Sequence, residues 1–175
     1  MFRQLFLGAA GAMLCIGTVS AHVTLETPQA PVGASYKAVL RVPHGCDGTA
    51  TTAIRVRIPN GVIGVKPMPK PGWKLDTVSG KYAKPFTLRG AKVSEGVTEI
   101  AWSGGMLADA HYDEFVFTSA LAEELGAGQT IYFPVVQECE KGGHRWITIP
   151  TGTGARDDHS ESSEPAPGLK LLPKR

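Results

Sequence analysis

The sequence predicts an all-β protein, an immunoglobulin-like antiparallel β-sandwich of about nine short strands. Three observations favour this fold class. Apolar and polar residues alternate along many short segments, as expected of strands that bury one face. The 175 residues include 21 Gly and 13 Pro, a share that favours turns over helices. Turn signals recur between the alternating segments at the spacing that is typical of a two-sheet sandwich.

The chain begins with a segment that has the three parts of a secretory leader. Arg3 supplies the positive charge, residues 5–19 are mostly apolar, and Val19-Ser20-Ala21 ends the segment with a pattern that signal peptidase accepts. We therefore predict a signal peptide at 1–21, cleavage after Ala21 and export to the periplasm or cell envelope.

The predicted strands follow one another along the remaining chain. In 35–42, Tyr36 and Ala38 alternate with Lys37, and in 50–58 the apolar positions alternate with Arg55 and Arg57. Pro134 lies inside an otherwise good strand, so this strand is expected to lie at an edge or to be bulged. The full set of predicted strands is 22–27, 35–42, 50–58, 62–65, 73–75, 97–102, 112–121, 130–139 and 145–149.

These strands define a predicted domain at 22–151, followed by a flexible tail at 152–175. Most of the tail is rich in Gly, Ser, Asp, Glu and Pro, a composition that buries too little apolar surface to order itself. The apolar residues at 169–172 are an exception, and we expect them to be able to dock on the sandwich.

Charge and cysteine content narrow the function classes. The formal net charge of +2 falls to +1 when the leader is removed with Arg3, which gives no reason to expect a nucleic acid or an anionic membrane as partner. No second apolar run approaches the ~20 residues of a membrane span, so no stable membrane insertion is expected.

Outside the leader, Cys46 and Cys139 form an even pair in an exported chain, which predicts one disulfide.

Cleavage after Ala21 would make His22 the first residue of the mature protein. Its α-amine and imidazole could then chelate one ion, an arrangement that suits the nitrogen- and oxygen-donor preference of Cu(II). An ordinary first residue is the alternative interpretation. A carboxylate could complete the site, and the candidates at strand ends are Asp109, Asp113, Glu114, Glu138 and Glu140.

Other residues have simpler interpretations. We interpret His44 as a loop histidine beside the disulfide, and His144 as a weak secondary group next to Trp146. A tryptophan such as Trp146, at a strand start after a Gly-Gly turn, more often belongs to the core. His159 lies in a charged stretch of the tail that we expect to be solvated.

An ordered series of motifs resembles the YcnI-like family of exported copper-binding proteins over residues 22–150. The series consists of Ala21-His22-Val23-Thr24-Leu25, Pro43-His44-Gly45-Cys46, Ile58-Pro59-Asn60-Gly61-Val62, Lys70-Pro71-Gly72-Trp73, Trp102-Ser103-Gly104-Gly105, Tyr112-Asp113-Glu114-Phe115, Pro134-Val135-Val136-Gln137-Glu138-Cys139, Arg145-Trp146 and Ile149-Pro150.

The resemblance implies a sandwich that binds one Cu(II) through a monohistidine brace. In such a site the terminal histidine gives two nitrogens, here His22, and a tryptophan near the metal corresponds to Trp146. The acidic ligand is implied at Asp109, where better-known members have glutamate, and Glu114 is the reserve candidate.

The resemblance also implies a role in copper sequestration, delivery or homeostasis, with a periplasmic copper chaperone or a membrane copper transporter as partner. We expect coordination without catalysis. Two alternatives remain open, namely a copper-dependent oxidative enzyme resembling polysaccharide monooxygenases and a structural or interaction sandwich without a metal.

Overall fold

The computed structural model describes residues 22–150 and 164–174, and these residues form twelve β-strands. None of the described segments forms a helix that could cross a membrane. The strands are β1 (Thr24–Leu25), β2 (Gln29–Pro31), β3 (Ser35–Val42), β4 (Thr51–Arg57), β5 (Val62–Pro67), β6 (Lys74–Leu88), β7 (Ala91–Leu107), β8 (Asp113–Leu121), β9 (Thr130–Tyr132), β10 (Val135–Cys139), β11 (Gly143–Trp146) and β12 (Gly168–Leu172).

The strands form three sheets. Four strands pair in the order β1-β3-β8-β5, five pair in the order β11-β10-β4-β7-β6, and a small sheet has the order β2-β12-β9. All pairings are antiparallel except that of β12 with β2. The predicted all-β, immunoglobulin-like fold class is confirmed, and β1 and β11 are edge strands of the two larger sheets.

A single large apolar core joins strands of all three sheets. Every second side chain of a strand turns to the same face. In β3 and β8 the side chains on one such face enter this core, among them Leu40 and Phe117. Trp102 and Phe115 are fully buried and meet edge to face with ring centroids 5.5 Å apart. The Trp102 indole N–H donates to the carbonyl of Met68 over 3.1 Å, so this buried donor is satisfied.

The structure has more strands than the nine expected, and one reason is Pro134. The predicted strand at 130–139 is split into β9 and β10, which belong to different sheets. Proline cannot donate to a sheet ladder, so the pairing changes at this position. Its carbonyl still accepts a hydrogen bond from the Arg57 amide over 2.9 Å.

The β6–β7 hairpin is also longer than the sequence suggested. The strands contain 15 and 17 residues, whereas the predicted strands at 73–75 and 97–102 cover only the part nearest the core. Most side chains of β6 are exposed or half-buried on both faces. A ribbon of this kind lacks the apolar alternation from which strands are predicted.

The predicted flexible tail at 152–175 is wrong for residues 164–174. Residues 152–163 of that tail lie outside the described residues, as does the predicted signal peptide. In the described part, β12 pairs with both β2 and β9, and Leu169 and Leu171 are fully buried in the core. The two leucines bury enough apolar surface to order a segment whose neighbours are polar, which agrees with the docking expected for 169–172.

Tyr36 of β3 fixes the chain that follows β1. Its buried hydroxyl donates to the carbonyl of Thr27 over 2.8 Å. Burial raises the pKa of Tyr36 to about 12, because the phenolate would lose its hydration. This hydroxyl therefore stays protonated, and keeps its donor, throughout the physiological pH range.

We predict that Leu171→Ala destabilises the protein by about 2–5 kcal/mol, because it opens a cavity in a core that cannot fully collapse. Lys170→Ala is the matched control, since Lys170 lies on the same strand but is exposed. Denaturant unfolding of both variants checks the prediction. Equal stability of the two variants would mean that β12 contributes nothing to the core.

Candidate metal centre

Three histidines and a tryptophan form a chain of ring contacts, in the order His22, Trp146, His144 and His44. His22 lies two residues before β1, the edge strand of the four-stranded sheet, and His144 and Trp146 belong to β11, the edge strand of the five-stranded sheet. The His22 and Trp146 ring centroids are 5.2 Å apart, and the His144 ring stacks on Trp146 at 5.0 Å. His44, in the loop after β3, has its ring centroid 6.5 Å from that of His144.

Trp146 is held by its position in β11 and by one hydrogen bond. It pairs with Val135 of β10 and turns its side chain into the core, where it is only 4% exposed. Its indole N–H donates to Oε1 of Gln137 over 3.1 Å. The indole is therefore a fixed, mostly apolar wall beside the imidazole of His22.

Gln137 connects this wall to the loop that carries His44. Its carboxamide is 1% exposed, and its Nε2 donates to the His44 carbonyl over 2.9 Å and to Thr51 Oγ1 over 2.8 Å. Both ends of the carboxamide are thus used, as a buried amide requires. No buried side-chain nitrogen or oxygen in the described part of the chain lacks a partner.

The His44 loop is further fixed by covalent and backbone constraints. The structure contains the predicted disulfide between Cys46 and Cys139, which ties the loop to the end of β10. Cys46 and Thr49 exchange two backbone hydrogen bonds of 2.9 and 2.8 Å. A Cβ atom at Gly45 would overlap the Thr49 carbonyl, so only glycine fits beside His44.

The hydrogen bonds of His44 and His144 define which ring nitrogen carries the proton in the neutral form. The Nδ1 of His44 lies 2.6 Å from the Gly45 carbonyl oxygen, and a carbonyl can only accept. The Nδ1 of His144 lies 2.7 Å from a carboxylate oxygen of Glu164. Each Nδ1 therefore donates and each Nε2 keeps its lone pair, an arrangement that is common in metal-binding histidines.

Of the two predicted carboxylates, only Asp109 lies beside a member of this cluster. Its Oδ1 is 3.9 Å from Nδ1 of His44, and its side chain is 39% exposed. Glu114 instead forms an ion pair of 3.0 Å with Arg41, in register on the neighbouring strand. The structure thus brings His22 and Trp146 together and places Asp109 next to His44. It pairs Glu114 with Arg41 instead.

Two of the other acidic candidates, Asp113 and Glu138, have cationic partners of their own. Asp113 accepts from Lys70 over 2.7 Å, and Glu138 accepts from Arg55 over 2.7 Å. No three His, Cys, Asp or Glu residues among those described converge on one point, so side chains alone do not supply a site with three ligands. A terminal α-amine on His22 would add a nitrogen donor to these side chains.

Sequence reasoning missed the contacts of His44 and Gln137, and it gave His144 only a weak secondary role next to Trp146. The Cys46–Cys139 pair was the available signal for His44, since the disulfide predicts that its loop approaches the end of β10. The period of two also places His144 and Trp146 on one face of a strand. Gln137 carries no sequence signal, because its role depends on three partners from separate segments.

We predict that Gln137→Leu destabilises the protein by about 2–4 kcal/mol, since it leaves the buried Trp146 N–H without an acceptor and removes two further bonds. Gln129→Leu is the matched control at an exposed position. Denaturant unfolding of the two variants measures the difference. Similar stability of the variants would contradict a structural role for the carboxamide.

Comparison with known proteins agrees with this architecture. A structure titled "Crystal structure of an uncharacterized protein from Nocardia farcinica reveals an immunoglobulin-like fold" is similar at a TM-score of 0.60 and 25% identity, over 87% of this chain and 99% of that chain. No curated protein matches the chain. A family model described as "Domain of unknown function (DUF1775)", the family that includes YcnI, matches residues 22–171. Because this match spans most of the sequence, the chain belongs to the DUF1775 family.

Proposed function

We propose that the mature protein is exported and binds one Cu(II) through His22 as its first residue. The observation that carries this proposal is the contact between the His22 imidazole and the buried Trp146 indole, with ring centroids 5.2 Å apart. The predicted cleavage point also coincides with the start of the family match at residue 22. The disulfide suits the oxidising compartment that export would reach.

The proposed chelate uses the α-amine and the imidazole of a single residue. Two nitrogens from one residue bind with little loss of chain freedom, because the adjoining Val23 is already buried in the core. Cu(II) prefers nitrogen and oxygen donors in a tetragonal arrangement. Both nitrogens must be free of protons to bind, so the affinity decreases as the pH falls.

The Trp146 indole would lie against one side of the bound copper. The indole is held by Gln137 and is almost fully buried, so it cannot swing away to admit water. An apolar wall at this position restricts access to the ion from that side. This supports a role in which copper is held as cargo, to be sequestered or handed to a periplasmic chaperone or membrane transporter, and we propose no catalytic step.

Asp109 is the proposed oxygen ligand. A carboxylate would lower the net charge of a Cu(II) site, and Asp109 is the predicted acidic residue that lies against the histidine cluster. Glu114 is the weaker candidate, because binding copper would require it to leave Arg41.

We predict that one additional residue before His22 lowers the Cu(II) affinity of the mature protein by at least about 100-fold. The extra peptide bond removes the free amine and leaves a single nitrogen on His22. Isothermal titration with Cu(II), using a competing chelator, measures the change. The matched control carries one additional residue after Arg175. Equal affinity of the two proteins would refute the proposed chelate.

We predict that Asp109→Asn alters the electron paramagnetic resonance spectrum of bound Cu(II), because it replaces a charged oxygen donor with a neutral one. Glu114→Gln is the control, and its spectrum should match that of the unmodified protein. The reverse outcome would assign the oxygen ligand to Glu114. Unchanged spectra in both variants would exclude both carboxylates.

A further inference from the structure

We propose that His44 and His144 form a second cation site, a two-imidazole site for Cu(I), beside the Cu(II) site at His22. The two rings lie 6.5 Å apart between centroids, with their planes at 88°. They come from different segments, the loop after β3 and the strand β11. This site uses no terminal amine, so it does not depend on the proposed function of His22.

The hydrogen bonds of both rings leave the ligand atom available. Each Nδ1 donates to an oxygen, of Gly45 in one case and of Glu164 in the other. Each Nε2 therefore carries the lone pair that a metal needs. Donation from Nδ1 to a carboxylate also fixes the tautomer and the orientation of the ring, and Glu164 does this for His144.

The separation of the rings favours a two-coordinate ion. With metal–nitrogen distances of about 2 Å, two imidazoles on a linear metal have centroids roughly 6 Å apart, and two imidazoles in a tetrahedral site have centroids roughly 5 Å apart. The observed 6.5 Å is closer to the linear value. The angle of 88° between the ring planes is compatible with linear coordination, because each ring can rotate about the nitrogen–metal–nitrogen axis.

Both rings are held in place before any ion binds. The disulfide and the Gln137 carboxamide fix the His44 loop. His144 is fixed by pairing with Gln137, by stacking on Trp146 and by Glu164. The second oxygen of Glu164 accepts from the Arg145 amide over 2.7 Å, so this carboxylate is itself oriented. Preorganised ligands lose little entropy on binding.

The number and type of ligands select the ion. Zn(II) takes four ligands and Cu(II) takes a tetragonal set, so neither is satisfied by two imidazoles. Cu(I) is stable with two neutral nitrogen donors in a line. Ag(I) has the same preference and does not change oxidation state, which makes it a suitable probe.

The test uses full-length mature protein with one additional residue before His22, so that the terminal chelate is blocked. Anaerobic titration with Cu(I) against a coloured Cu(I) chelator should give one bound equivalent, and Ag(I) should compete for it. His44→Gln and His144→Gln should each weaken this binding at least tenfold. His111→Gln, at an exposed position, is the matched control and should leave it unchanged.

Nuclear magnetic resonance of the histidine ring nitrogens gives a second measurement. Its signals would not respond to Ag(I) if the two histidines had only a structural role. Ag(I) should shift the Nε2 signals of His44 and His144 and leave their Nδ1 signals protonated. Absence of Cu(I) binding in the blocked protein would overturn the proposal, and so would equal binding by His44→Gln and His111→Gln in folded protein. Unchanged Cu(II) affinity in the blocked protein would refute the His22 chelate and leave this site intact.

Discussion

The candidate metal centre depends on the hydrogen bonds of one buried side chain, the carboxamide of Gln137. It accepts from the indole of Trp146 and donates to the carbonyl of His44 and the hydroxyl of Thr51. One side chain thereby fixes the Trp146 indole, the loop that carries His44 and the strand β4. Because all three partners are buried or half-buried, none can exchange this bond for water without a cost in stability.

A disulfide and a carboxylate reinforce the same arrangement from either side. The Cys46–Cys139 bond holds the loop to β10 on one side, and Glu164 holds β11 on the other. The histidines are thus carried on backbone segments that are each fixed at two points. Such rigidity suits a site that must present donors at set distances, since a flexible site would have to order itself on binding.

Much of the fold could be predicted from the sequence, because period-two alternation reports burial of one strand face. It located β3 over its full length and found the core of β8. It could not find most of the β6–β7 ribbon, whose faces are both partly exposed. It also could not find the partner strands of β12, because the pairing of distant segments leaves no local pattern.

The candidate site divides in the same way. His22 could be singled out from the leader that precedes it, and its neighbour Trp146 was indicated by family resemblance. The proximity of His44 to His144 could not be predicted from local sequence, since only the fold brings the loop after β3 and the strand β11 together and places the two rings 6.5 Å apart. Carboxylates were similarly ambiguous, because a nearby cation such as Arg41 is brought in only by strand pairing.

The place of β12 has a consequence for how the molecule reaches its final form. Residues 168–172 of β12 insert between β2 and β9, and β2 belongs to the first part of the domain. The small sheet therefore cannot close until residues 168–172 have emerged from the ribosome. A truncated product ending before residue 168 would expose two unpaired sheet edges, which are templates for aggregation. The early part of the domain thus depends for its final pairing on a strand that is synthesised much later.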